Sequence, residues 1–161
     1  PLQAYSHMFD IKVSIFRFAN VVGPRQTHGV AFDFIRKLRK NSRMLEVQGN
    51  GRQEKSYVYE TDVINGVLTA FQKQVYGFDV FNISNRSALT VNEIAFMVLA
   101  QMRIDLLTFD INIGSSERGW KGDVPQVSLD NSKLKALGWE PKFNSSDAIA
   151  AAIKSMLEEQ K

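Results

Sequence analysis

Two histidines, four tyrosines and a cluster of cations are the residues of this 161-residue chain from which chemistry would first be sought. His7 and His28 are far apart in sequence and lack metal-ligand spacing, so no zinc site is expected. With no cysteine, a disulfide framework, a thiol nucleophile and a thiolate metal site are all excluded. There is no Gly-x-Ser-x-Gly elbow, no Walker loop and no Gly-x-x-Gly-x-x-Gly run. Gly49-Asn50-Gly51 follows only a short apolar segment and reads as the tight turn of a hairpin. The basic excess, 20 Lys plus Arg against 17 Asp plus Glu, comes largely from Arg36, Lys37, Arg39, Lys40 and Arg43. Clustered cations neutralise phosphates. Here, however, Phe32, Ile35 and Leu38 interleave them at the spacing of a buried helical stripe, with no aromatic platform beside them. That pattern is a solvated helix face, and no nucleic-acid partner is expected.

Three segments depart from generic structural sequence. They are 17–25 (Arg-Phe-Ala-Asn-Val-Val-Gly-Pro-Arg), 45–63 (from Leu-Glu-Val-Gln-Gly-Asn-Gly to Tyr-Glu-Thr-Asp-Val) and 119–125 (Gly-Trp-Lys-Gly-Asp-Val-Pro). Leu129-Asp130, Ser132-Lys133 and 137–141 (Leu-Gly-Trp-Glu-Pro) follow the third. In this order and at these separations they resemble the second half of the extended short-chain dehydrogenase/reductase family, in particular its nucleotide-sugar epimerases and dehydratases. The resemblance covers about residues 5 to 158. It implies an α/β fold: the C-terminal part of a Rossmann-type chain with the small mixed α/β substrate-binding lobe. In that arrangement 11–18 and 80–83 join the Rossmann sheet, while 45–48 and 107–113 belong to the substrate lobe.

The resemblance also implies roles for single residues. Asn20 stands where the family's asparagine hydrogen-bonds the sugar or diphosphate, with donors and an acceptor at one point; read alone, it is a turn residue before Gly23-Pro24. Phe18 falls where an aromatic residue packs near the nicotinamide, and otherwise reads as strand core. Arg25 is either a ligand or a structural salt-bridge residue. Gly29-Val30 matches the backbone that leads onto the phosphates and base, and Glu46, Val47 and Gln48 match the strand whose backbone reads the base edge. Lys55 takes the place of a diphosphate-gripping arginine, keeping the charge but losing the bidentate fork. Many relatives have Arg-x-Gly-Asp where this chain has Trp120-Lys121-Gly122-Asp123, so the second phosphate-binding cation is Arg118 or Lys121, with Asp123 retained. Trp120 reads equally well as a packing residue.

Family members also carry a Gly-rich loop for the NAD pyrophosphate and a catalytic Tyr-x-x-x-Lys. No tyrosine here satisfies that motif: Tyr5 is followed by Phe9, Tyr57 by Thr61, Tyr59 by Val63 and Tyr76 by Val80. The expectation is a catalytically inactive, nucleotide-sugar-binding portion (residues 1–161) of an NAD-dependent UDP-hexose 4-epimerase, lacking the NAD-binding half. A portion of a 4,6-dehydratase and a non-catalytic binding or assembly module are the alternatives. A sheet edge without its neighbours would expose Val13, Ile15, Val80 and Phe81, which predicts self-association or local rearrangement.

The elements that must position these residues alternate. Strands are expected at 11–18, 45–48, 56–59, 80–83 and 107–113, from β-branched and aromatic runs. Helices are expected at 31–41 and 60–73, the latter with Val63, Val67, Leu68 and Phe71 as its stripe, and from the capping box Thr90…Glu93 to about Met102. Asp130 can cap a short helix ending at Gly138, and a last helix from Ser145 or Ser146 carries Ile149, Ile153 and Met156. Segments 20–29 and 114–126 read as loops. An apolar fraction of 44% with 23% charged residues is globular composition. Without a membrane-length apolar run or a leader pattern, a cytoplasmic location with no membrane partner is expected.

Overall fold

Strands and helices alternate in the computed structural model, which describes residues 1–73, 77–122, 124 and 126–159. In chain order they are α1 (Leu2–Phe9), β1 (Val13–Phe18), β2 (Asn20–Val22), α2 (Val30–Lys40), β3 (Met44–Val47), β4 (Glu54–Lys55), β5 (Tyr57–Tyr59) and α3 (Glu60–Lys73). Then come β6 (Phe78–Ile83), β7 (Leu89–Thr90), α4 (Val91–Gln101), β8 (Asp110–Ile113), β9 (Gln126–Val127), α5 (Ser132–Ala136) and α6 (Ser145–Glu158). Helix starts follow local chemistry. Thr90 accepts the Glu93 N–H through its hydroxyl at 3.2 Å, while the Glu93 carboxylate accepts the Thr90 N–H at 2.7 Å. Asn144 caps α6 by accepting the Asp147 N–H at 2.9 Å.

The strands pair mostly in parallel, each pair spanning a long crossover. β1 pairs with β6 from Val13↔Phe78 to Phe18↔Ile83. β2 pairs with β5, and β3 with β8, also in parallel. β4 lies between β7, antiparallel, and β9, parallel. The chain is therefore α/β, as its alternating elements require.

Two apolar cores fill the space between these layers. The larger joins α2, β3, α4 and α6 through Ile35, Leu38, Leu45, Ile94, Leu99 and Ile153. The smaller surrounds Phe81 and Ile83 with Val58, Ala70, Leu134 and Trp139. Gly66 permits this second core: a Cβ there would sit 3.0 Å from Ile83 Cδ1 and 3.2 Å from Trp139 Nε1. Small residues thus form the buried face of α3, and that corrects its expected stripe. Val63 and Val67 pack on the core, while Leu68 and Phe71 turn outward.

Other expectations change for identifiable reasons. Gly49-Asn50-Gly51 is a turn but not a hairpin, because β3 takes β8 as its partner and β4 pairs elsewhere. Asn20–Val22, expected as loop, extends alongside β5. The strand expected from residue 107 begins only at Asp110, because the Asp105 carboxylate accepts the Leu107 N–H and winds Leu106–Thr108 into a 3-10 turn. Asp130 does not cap α5. Asn131 precedes the helix, and the Asp130 carboxylate bonds Ser132 instead. Phe81 is buried against the second core rather than bare, with Lys133 Nζ 5.0 Å from its ring centroid. Val13, Ile15 and Val80 are half-buried.

Candidate functional site

A cavity of about 850 Å³ opens where β2, the start of α2, β4 and β5 converge. Asn20, Val30, Gln48 and Lys55, which are scattered over the sequence, all line it. Asn20 is held by the β2–β5 pairing: its backbone N–H and its side-chain amide both donate to the Ser56 carbonyl at 3.2 Å. That leaves the amide oxygen to accept from a ligand hydroxyl. Ser56 is itself fixed, donating through its hydroxyl to the Asn85 carbonyl at 2.8 Å. Val30 is the first residue of α2, preceded by Gly29 at φ 101° with no side-chain cap, so the helix start presents N–H groups to an anion. Lys55 is half-buried on the opposite strand.

A second cavity, about 680 Å³, lies at the ends of β3 and β8. Glu46, Val47, Gln48, Arg118 and Lys121 line it, and Gln48, Gly119 and Trp120 are common to both cavities. The two cavities therefore adjoin along a shared wall and form one groove region. Gly49 joins its walls: at φ 73° its missing Cβ leaves room for Gln53 Nε2 and for the Arg118 carbonyl, which would be 2.1 Å and 3.0 Å away. Asn50 N–H donates to the Ser116 carbonyl at 2.6 Å, pinning the 114–119 loop to the turn.

The carbonyls of 46–48 already have partners. Lys37 Nζ donates to the Glu46 carbonyl at 2.8 Å, Gly114 N–H to that of Val47 at 3.2 Å, and Gln53 Nε2 to that of Gln48 at 3.4 Å. Any base edge read here meets N–H groups or second carbonyl lone pairs.

Arg36, Lys37 and Lys55 face Asp33 and Glu60 in the larger cavity, and Arg118 and Lys121 face Glu46 in the smaller. The balance is positive and suits a polyanion. Sequence reasoning missed Lys37, assigned to a solvated face, and Gln53. The signal for Gln53 was available, because it lies two residues before Lys55 and period-two alternation puts both on one face. Trp120, read as either packing or ligand residue, is 66% exposed and lines the groove.

Phe18 lines neither cavity. It stands half-exposed at the end of β1, with its ring 6.4 Å from that of Phe16. Arg25 also lies outside both linings; its backbone N–H donates to the Glu159 carboxylate at 2.9 Å. Asp123 is outside the described residues. Among the described residues no cluster of His, Asp and Glu could hold a metal ion, and no helix is long and apolar enough to cross a membrane.

Residues 2–84 match the NAD dependent epimerase/dehydratase family, just over half of the sequence. The chain belongs to that family. This epimerase/dehydratase chain is 26% identical over 162 aligned residues to a putative UDP-glucose 4-epimerase of Methanocaldococcus jannaschii, covering 96% of the chain and 49% of the relative. It is 28% identical over 160 residues to dTDP-D-glucose 4,6-dehydratase of Homo sapiens, covering 95% and 44%. The crystal structure of a UDP-galactose 4-epimerase superposes with a TM-score of 0.84 at 32% identity, over 99% of this chain and 50% of that one. The chain thus has the Rossmann-type epimerase/dehydratase fold, and it spans about half the length of the curated relatives it matches.

The family name implies NAD, and these residues do not fit its pyrophosphate. None of the strand-to-helix connections at β2–α2, β5–α3 or β7–α4 contains a three-glycine turn.

Proposed function

We propose that residues 1–161 are the nucleotide-sugar-binding portion of an NAD-dependent UDP-hexose 4-epimerase, placed C-terminal to the dinucleotide-binding half. The observation supporting this is the pair of adjoining cavities, one lined by Asn20, the α2 start and Lys55 and the other by residues 46–48 and Arg118. An elongated ligand with a base at one end, a diphosphate in the middle and a sugar at the other matches that order of groups. Lys55 with Arg118 or Lys121 compensates the diphosphate, the 46–48 backbone meets the base, and Asn20 accepts from the sugar. Binding energy gathered there, remote from the reacting carbon, orients the sugar for chemistry. The dinucleotide and the proton-transfer tyrosine would come from outside these residues. The similarity to a human dTDP-glucose dehydratase supports 4,6-dehydration as a second reading.

Calorimetric titration tests the reading. UDP and UDP-hexose should bind saturably to the chain, and a preference for dTDP would favour the dehydratase. Turnover of a UDP- or dTDP-hexose should be nil with this chain and NAD alone; measured conversion would overturn the assignment of catalysis to residues outside it. With the sheet edge of Val13, Ile15, Val80 and Phe81 largely covered, the proposed self-association rests instead on the exposed apolar residues of α1, Leu2, Tyr5, Met8 and Phe9.

A further inference from the structure

The two tryptophans of the chain have opposite fates. Trp139 is 3% exposed and donates through Nε1 to the Asp62 carbonyl at 3.0 Å, while Trp120 is 66% exposed. Large aromatic side chains carry the greatest gain on burial, so one left open inside a groove calls for an explanation. Gly122 backs the Trp120 ring: a Cβ there would lie 2.3 Å from Cζ3 and 2.7 Å from Cη2. The ring is thus seated on backbone, and among the described residues no other aromatic ring stacks on it. It lines both cavities, one with Glu46 and Val47 and the other with Lys55.

An independent feature points to a ligand in the same place. Gln53 is 3% exposed, lines the cavity that Lys55 and Trp120 line, and its Oε1 has no hydrogen-bond partner. A buried amide oxygen left unpaired is costly, and a small turn of the Gln53 amide toward the cavity would let a ligand hydroxyl or N–H satisfy it. A flat apolar face, flanking cations and an unmet acceptor together suit a molecule with a heteroaromatic ring, an anionic chain and hydroxyl donors.

We propose that Trp120 is a specificity-determining residue, whose indole stacks on the nucleobase and makes the groove prefer a nucleoside diphosphate to a bare diphosphate. This rests on the nucleotide-sugar reading above. The chain, W120A and W120F are titrated separately with UDP and with inorganic pyrophosphate by calorimetry, and tryptophan emission is followed during UDP addition. W120A should weaken UDP binding about tenfold, the scale of a base–aromatic stack. Pyrophosphate binding should stay unchanged and serve as the fold control. W120F should restore most of the affinity, and UDP should quench the exposed indole in the unaltered chain. Equal loss of both ligands in W120A would mean that the indole shapes the loop, overturning the stacking role. Unaltered UDP affinity in W120A, or no quenching on saturation, would overturn it too, while leaving the nucleotide-sugar reading intact. Failure of the unaltered chain to bind UDP would overturn both.

Discussion

The Ser145 hydroxyl accepts the Tyr57 N–H at 3.0 Å and donates to the Ser87 carbonyl at 2.6 Å, tying the first turn of α6 to β5. Ser145 is fully buried, and β5 follows directly on the strand that carries Lys55. One hydroxyl thus fixes the floor of the groove from the far end of the sequence. Ser145→Ala would remove the hydroxyl from the buried Tyr57 N–H and the part-buried Ser87 carbonyl. It should lower stability by about 1–3 kcal/mol, read as a shift in the urea midpoint at unchanged m-value. Loss of UDP affinity should accompany it, since β5 would no longer be held in place.

Lys55 is a half-buried cation of the larger cavity. Lys55→Ala should reduce UDP affinity by about 1.5–3 kcal/mol, the scale of a charge-assisted hydrogen bond. Lys55→Arg should preserve or strengthen binding by restoring a two-pronged donor. Calorimetry reads both, and an unchanged affinity in the alanine variant would remove Lys55 from the site.

The α4 capping box makes a separate prediction. The Thr90 backbone N–H, then its hydroxyl, hold the Glu93 carboxyl below the usual carboxylate range. Because the folded value is depressed, the stabilisation is complete above the ordinary carboxyl pKa and is lost as pH falls through the lowered value. Solvent screening keeps that ionic part small. Thr90→Ala should cost about 0.5–1 kcal/mol at neutral pH, the lower part of the range for caps. The gap between the unaltered chain and Glu93→Gln should narrow on acidification, as measured by denaturant unfolding across pH.

Met8 is 74% exposed and Phe9 is 59% exposed, on a helix whose other large side chains are also open to solvent. Sedimentation equilibrium should find a concentration-dependent dimer or higher oligomer. Replacing both residues with lysine should shift the population to monomer without loss of UDP binding. A monomer at all concentrations in the unaltered chain would contradict the proposed self-association.

How much of this was legible beforehand depends on range. α3 runs from Glu60 to Lys73 as expected, though on a different buried face, and the Thr90…Glu93 box opens α4 where the residue types said it would. Both signals act within one helical turn. The motifs around Asn20, Lys55 and Trp120 marked the wall of a groove but not its shape. Lys37 was hidden because a cation on an amphipathic helix looks the same whether it faces water or bonds the Glu46 carbonyl. Gln53 shared a face with Lys55 in the alternating pattern, but its unmet acceptor exists only once every neighbour is in place.

By itself, the amino-acid sequence determined most of the helices, the Thr90 capping box, the α/β alternation and the ordered motifs of the family, since these rest on contacts between residues a few positions apart. Tertiary structure alone decided that β3 pairs with β8 and not with the next strand. It also brought Arg118 to the Gly49 turn and left Trp120 open while burying Trp139. Those outcomes depend on which distant surfaces meet, and an apolar strand or an indole carries no local mark of its partner.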